Sequence, residues 1–376
     1  MTTAGTKAWR WVAGGVAALA IGAALVVGAL RLAIAQLPEI ESRVTQQVRA
    51  QTGLAISFDS LDARFGRYGP EVYFGGARVV GAERGEVLVT AEAGRVSLAV
   101  LRSLLHRRLE IGRVVLESPR LDFVIFPDRH VELAGQSGIE LDPARPRREF
   151  GLERLPRGVV EIRDATLGFR DLGLEGGDFE VRRVDLVLER GASELAVDGS
   201  VDLPRRFGRR LDFAAEARGD LAAPARLDWD LDVDLRDADF AAVVESFPWA
   251  KALPSAGRGS LRVEAAGTGW SPATASGSFA FDGLALPELA GTPAPAYERV
   301  AAHFSLAAEE RRWRLSLRNL DLAMEGRAWE RGPLEAVVHV DSGRPQRVEL
   351  QARYLRLENL LPLVRLAPAS AGRELA

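Results

Sequence analysis

Hydrophobic and polar positions divide the chain into three regimes. The first is the run from Trp11 to Leu30, WVAGGVAALAIGAALVVGAL, twenty positions without a charge. A bilayer core of about 30 Å needs about 20 apolar residues in a helix, and a helix apolar on every side has no place facing water. The run therefore predicts a membrane anchor, with residues 11–37 as its extent. A cleavable signal is the competing reading, since Lys7 and Arg10 precede the run and Ala33-Ile34-Ala35 has small-x-small form. A signal core is about 7–15 residues, however, and Arg31 would fall inside the cleavage region. Residues 1–10 become a cytoplasmic tail, because long domains translocate largely regardless of their charge. Gly14, Ala18 and Gly22 offer a small-residue stripe to another membrane helix, although an Ala-rich segment produces such stripes by composition alone.

The second regime is short. Ile40, Val44 and Val48 recur at fourfold spacing between Pro38 and Gly53, an amphipathic helix with start and stop signals. Thereafter the period is two. Val96, Leu98 and Val100 alternate with Arg95, Ser97 and Ala99, and LRSLLHR reads as a helical turn. LEIGRVVLE and RLDFVIF follow, split by Ser118-Pro119, a turn signal that predicts a hairpin. Residues 136–158, with three prolines and five charges within Asp142–Glu149, predict a linker. Alternation then resumes through Val184, Leu186 and Leu188, through Leu227 to Leu235, and on to Val348, Leu350 and Tyr354. The turns between runs leave no room for crossover helices, so pairing is expected to be antiparallel. The expected domains are a membrane-proximal helix and β region at 38–135, the linker, and an extended sheet at 159–376.

A sheet with one apolar and one charged face must cover the apolar one, by stacking a second sheet, closing into a barrel, or folding over an apolar ligand. The alternation does not choose among these.

Composition removes several kinds of chemistry. The 49 basic and 52 acidic residues are spread along the chain, with a net charge of −3, so no basic face is available for nucleic acid. There is no cysteine, hence no disulfide, thiolate metal site or Cys nucleophile, and the four histidines form no HxxxH or HExxH pattern. Asp228, Asp230, Asp232 and Asp234 superficially suggest a calcium loop, but Val233 and Asp239 stand where that loop needs Gly and Glu. The alternation places the four carboxylates on one wet strand face instead. GxSxG, SxxK and a phosphate-cradling glycine loop are all missing. No catalytic residue, metal or cofactor is assigned, and an enzyme is not expected.

The order of elements resembles a known family. An N-terminal anchor, a helix running into QTGLAISFDSLDARF, and GRVSLAVLRSLLHRRLEIGRVVLESPRLDFVIF with Asp128-Arg129-His130 behind it are similar to the AsmA-like superfamily of bacterial envelope proteins. GVVEIRDATLGFRD (158–171) and DGSVDLPRRFGRRLDFAAEARGD (198–220) narrow the resemblance to its YhdP-type branch. The resemblance implies a mainly β protein: an N-terminal transmembrane helix and short amphipathic helix, then a long, curved, groove-like antiparallel sheet of AsmA/chorein type. It implies a single-pass inner-membrane protein with its bulk in the periplasm, carrying phospholipid toward the outer membrane. Val96, Leu98, Val114, Leu116, Leu121, Phe123, Leu186, Leu188, Leu227, Trp229, Leu231, Val233, Leu315 and Leu350 would line the groove. YhdP-type proteins are longer, so an N-terminal piece or a short member is expected. The alternative role is a periplasmic scaffold or assembly factor, with an outer-membrane assembly protein as partner.

Overall fold

A computed structural model describes residues 54–354, except 67–68, 82–86, 100–110, 127–129, 134–135, 141–151, 153–154, 156, 172–177, 247–253, 287–295, 310–311 and 342–343. The expected anchor, the helix from Pro38 and the LRSLLHR turn lie outside these residues, as does most of the expected linker. Among the described residues no helix is long and apolar enough to cross a membrane. The chain divides into two compact units between Glu110 and Ile111.

The first unit is an antiparallel sheet in which β3 (Gly69–Gly81) is central. It pairs with β1 (Leu54–Ser57), with β2 (Ser60–Gly66) and with β4 (Val87–Leu98). Leu61 lies opposite Phe74, and Val72 opposite Val96, so apolar residues share one face. Glu71, Tyr73 and Arg95 stand on the other, where the Tyr73 hydroxyl donates to Glu71 at 2.6 Å.

The second unit carries the longer sheet. Its strands are β5 (Ile111–Glu117), β6 (Arg120–Ile125), β7 (His130–Leu133), β8 (Gln136–Glu140), β9 (Gly158–Asp171), β10 (Phe179–Arg190), β11 (Glu194–Asp202) and β12 (Arg210–Arg218). They continue as β13 (Asp228–Asp239), β14 (Ala256–Thr268), β15 (Ser271–Ala285), β16 (Ala296–Glu309), β17 (Arg312–Met324), β18 (Arg327–Ala328), β19 (Gly332–Asp341) and β20 (Arg344–Ala352). From β9 to β17 each strand pairs antiparallel with the next, and β17 then pairs with β19 and β19 with β20. Such a meander follows from short turns. The β14–β15 connection needs only Gly269-Trp270, and Gly269 supplies the positive φ (60°) that a two-residue hairpin turn demands. A short helix, α1 (Phe240–Ser246), follows β13; Asp239 caps it by accepting the Ala242 N–H at 3.2 Å.

The expected hairpin at Ser118-Pro119 is not formed. Strands β5 and β6 both run parallel to β9 in one unbroken register, Arg113 opposite Val159 and Arg120 opposite Thr166. They are one strand with a bulge. The chain passes straight through because Ser118 takes φ 48° and the ladder bonds persist on both sides: Ser118 N–H donates to Arg163 O, and Thr166 N–H donates to Pro119 O. Proline lacks a donor but keeps its acceptor, and that acceptor is the one the Thr166 N–H uses. The facing strand bulges in step at Asp164 (φ 52°), whose N–H is met by the Asp185 carboxylate at 2.9 Å. Here the sheet is parallel, against the antiparallel expectation.

Further bulges sit at Arg183, Asp237 and Asn319, all at positive φ. Each adds one residue to a strand and increases local twist. Outside the left-handed region these positions would cost nothing, but within it a β-branched side chain is strained by about 1–2 kcal/mol. Ser118→Val is accordingly expected to destabilise the protein by about that amount in thermal or urea unfolding, whereas Ser118→Gly should leave stability unchanged or raised.

Candidate functional site

Register partners share a face, so the pairing of β5 through β20 can be followed across the sheet one row at a time. Val114 lies opposite Val160, Val160 opposite Leu188, and Leu188 opposite Val197. The row continues through Ala215, Leu231, Ala265, Ala275, Leu306, Leu315 and Ala336 to Leu350. A second row runs from Leu116 through Ile162, Leu186 and Gly199 to Phe213, Val233, Val263 and Gly277. One apolar face is thus continuous over the unit.

Aromatic residues reinforce it where strand pairing is irregular. Phe123, Phe169 and Phe179 are cross-strand partners that stack at centroid distances of 5.2 and 4.8 Å, and Phe207 meets Phe179 edge-on at 5.1 Å. Glycines make room for large neighbours. At Gly199 a Cβ would stand 2.5 Å from the Phe213 ring, and at Gly267 one would stand 2.7 Å from Trp229.

Burial along this face is uneven. Tyr297, Leu320, Leu322, Trp329 and Leu334 form a buried cluster across β16–β19. Desolvation there raises the Tyr297 phenol above its ordinary value. Across β10–β15 most of the apolar residues stay half-buried, Leu186, Leu188, Val197, Leu231, Val233, Val263 and Phe279 among them. The extensive contacts between elements are all between hydrogen-bonded neighbours, apart from α1 on β14. All the described strands of this unit belong to one hydrogen-bonded sheet, with no separate second sheet among the described residues.

The opposite face is charged and paired. Arginine and carboxylate two apart on a strand point the same way, giving Arg236–Asp234 at 2.7 Å, Arg210–Asp212 at 2.7 Å and Arg182–Glu180 at 2.8 Å. Across strands, Arg218 meets Asp230 at 3.1 Å and Arg183 meets Asp202 at 2.8 Å. The acidic series at Asp228–Asp234 is absorbed in this lattice: Asp230 and Asp234 by arginine, Asp232 by Arg262 at 3.9 Å, and Asp228 by the Thr268 hydroxyl at 2.7 Å. Exposed pairs of this kind contribute about 0–1 kcal/mol each, so their importance is to keep this face wet.

Of the residues expected to line an apolar groove, Val114, Leu116, Leu121, Phe123, Leu186, Leu188, Trp229, Leu231, Val233, Leu315 and Leu350 fall on this one face. Leu227 lies just ahead of β13 and is 4% exposed, a packed residue at the strand entrance whose carbonyl accepts the Gly269 N–H. Val96 belongs to the apolar face of the first unit, and the Leu98 side chain lies outside the described residues. Ile162, Phe213, Phe304 and Leu334 join the face without having been singled out from sequence. Ile162 escapes simple alternation because the bulge at Asp164 reverses parity, so that Ile162 and Ala165 share a side.

Among the described residues no three His, Asp or Glu side chains stand close enough to hold a metal. Two carboxylates show the electrostatics best. The Arg236 guanidinium holds Asp234 below the usual carboxylate range, and Arg258, with help from the Ala242 N–H, does the same for Asp239. A pKa lower in the folded than in the unfolded chain, where Asp titrates near about 3.9, gives stability that is complete above that value. It is lost as pH falls through the folded value. The melting temperature is expected to drop as pH is lowered below about 4, and to drop less in the Asp234→Asn, Asp239→Asn double variant.

Compared with models of known protein families, the chain matches the YhdP protein family over residues 1–375. No curated protein and no solved structure matches it.

Proposed function

The chain belongs to the YhdP family, and on that premise we propose that it is an inner-membrane-anchored, periplasmic lipid-binding protein that helps move phospholipid toward the outer membrane. Family membership supports the coarser part of this reading, an envelope function related to lipid transport. The observation that carries the finer part is the continuous, half-buried apolar face of one sheet, backed by a face of arginine–carboxylate pairs. A surface of that extent is not left against water in a soluble domain; it marks a binding surface.

Acyl chains suit it chemically. They offer apolar area without polar groups, so contact with Leu231, Val233, Phe213 and Phe279 leaves no donor or acceptor unsatisfied. Each methylene withdrawn from water contributes about 0.8 kcal/mol, and the contact is non-directional, so a chain is held without one fixed register. Movement along the face then needs no covalent step and no catalytic residue. Bulges at Asp164, Arg183, Asp237 and Asn319 add the local twist from which a groove can be built. The apolar run Trp11–Leu30 would set the first strands beside the bilayer, where lipid enters.

Adjacent residues on opposite faces provide the test. A photo-crosslinking amino acid at position 233 should capture phospholipid from intact cells, and one at position 232, on the charged face, should capture little. Val233→Asp should lower co-purifying phospholipid several-fold. Lipid-free protein by mass spectrometry, or equal capture at both positions, would overturn the reading, and capture of one protein in stoichiometric amount would favour an assembly factor.

A further inference from the structure

The geometry points to an oxyanion site of the phosphate class on the charged face of the sheet, across β13–β19. Over most of that face, arginine and carboxylate side chains alternate and neutralise one another. Here they do not. The floor is made of small residues, Ser260, Ser278, Ala280 and Ala301, and above it opens a depression of about 770 Å³ that adjoins a second of about 500 Å³. Both lie in the size range of small-molecule sites, about 300–1,000 Å³.

Four arginines line the pair of depressions, Arg262, Arg299, Arg318 and Arg331, against two carboxylates, Asp234 and Asp321. Asp234 is already taken by Arg236 at 2.7 Å. Asp321 must serve both Arg331 at 2.7 Å and Arg299 at 3.4 Å through the same oxygen, Oδ2. Arg262 reaches carboxylates only loosely, Glu264 at 3.6 Å and Asp232 at 3.9 Å. Arg318 lies directly across from His303 and has no carboxylate within ion-pair distance among the described residues. The cations of this locality outnumber their partners.

The bulge at Asn319 contributes to this arrangement. It inserts a residue between Arg318, opposite His303, and Asp321, opposite Ala301, and brings the Asn319 amide into the lining of both depressions. Guanidinium forks, an imidazole N–H and an amide N–H around a small-residue floor form a donor set matched to a multiply charged, tetrahedral oxyanion. The site does not depend on the lipid reading, because it occupies the other face of the sheet.

The full chain reconstituted in phosphatidylcholine nanodiscs is titrated calorimetrically with inorganic pyrophosphate. Saturable binding is expected, weakened about tenfold by Arg318→Gln and by Arg331→Gln and largely retained by Arg318→Lys, as removal of roughly one charge-assisted hydrogen bond requires. Arg218→Gln, a paired arginine elsewhere on the same face, should leave it unchanged. Arg318→Gln breaks no ion pair, so its melting temperature should equal that of the parent and exclude misfolding as the cause. Repeating the titration in nanodiscs containing phosphatidylglycerol separates the sources: weaker pyrophosphate binding there identifies a lipid headgroup as the ligand, and unchanged binding a free phosphate. Absence of saturable binding, or equal weakening by the Arg218 and Arg318 variants, overturns the site.

Discussion

A β-sheet satisfies its backbone in the plane and leaves its two faces to the side chains, so a sheet with one apolar face depends on whatever covers it. In the larger unit of this protein that cover is not a second sheet among the described residues. The strands meet their hydrogen-bonded neighbours, and residues such as Leu188, Val197 and Val233 remain half-buried on a face that continues from β5 to β20. The other features of the unit follow from that constraint. The aromatic stacks at Phe123–Phe169–Phe179, the glycines beneath Phe213 and Trp229, and the packed cluster around Trp329 all consolidate the same side.

The charged face is its complement. A sheet with one apolar face needs its other side unambiguously wet, or both sides would invite association. Pairs two apart along a strand, crossed by pairs between strands, achieve this with little net stabilisation and little net charge. The exception is the locality of Arg318 and Arg331, where small residues replace the paired lattice and positive charge accumulates. The two faces thereby carry different chemistry: extended and apolar on one, local and cationic on the other.

Membership of the YhdP family is established over nearly the whole chain. A face without directional contacts suits a ligand that moves along it, whereas specific recognition needs placed donors. The sheet keeps these requirements apart, because in a strand neighbouring residues point to opposite sides.

Much of this was legible in the sequence because period-two alternation is a local property. Leu227 to Leu235 announced a strand with an aspartate face. What alternation cannot encode is the partner. Ser118-Pro119 reads as a reversal, and only the neighbouring strand, bulging in step at Asp164, lets the chain run through it parallel to β9. Bulges likewise reverse parity, which hid Ile162 and brought Asn319 among the arginines. The cationic depression was invisible for the same reason: Arg262, Arg299, Arg318 and Arg331 are spread over seventy positions, and register alone gathers them. Side-chain period fixes which face a residue takes, but hydrogen-bonded pairing between distant segments decides what stands beside it.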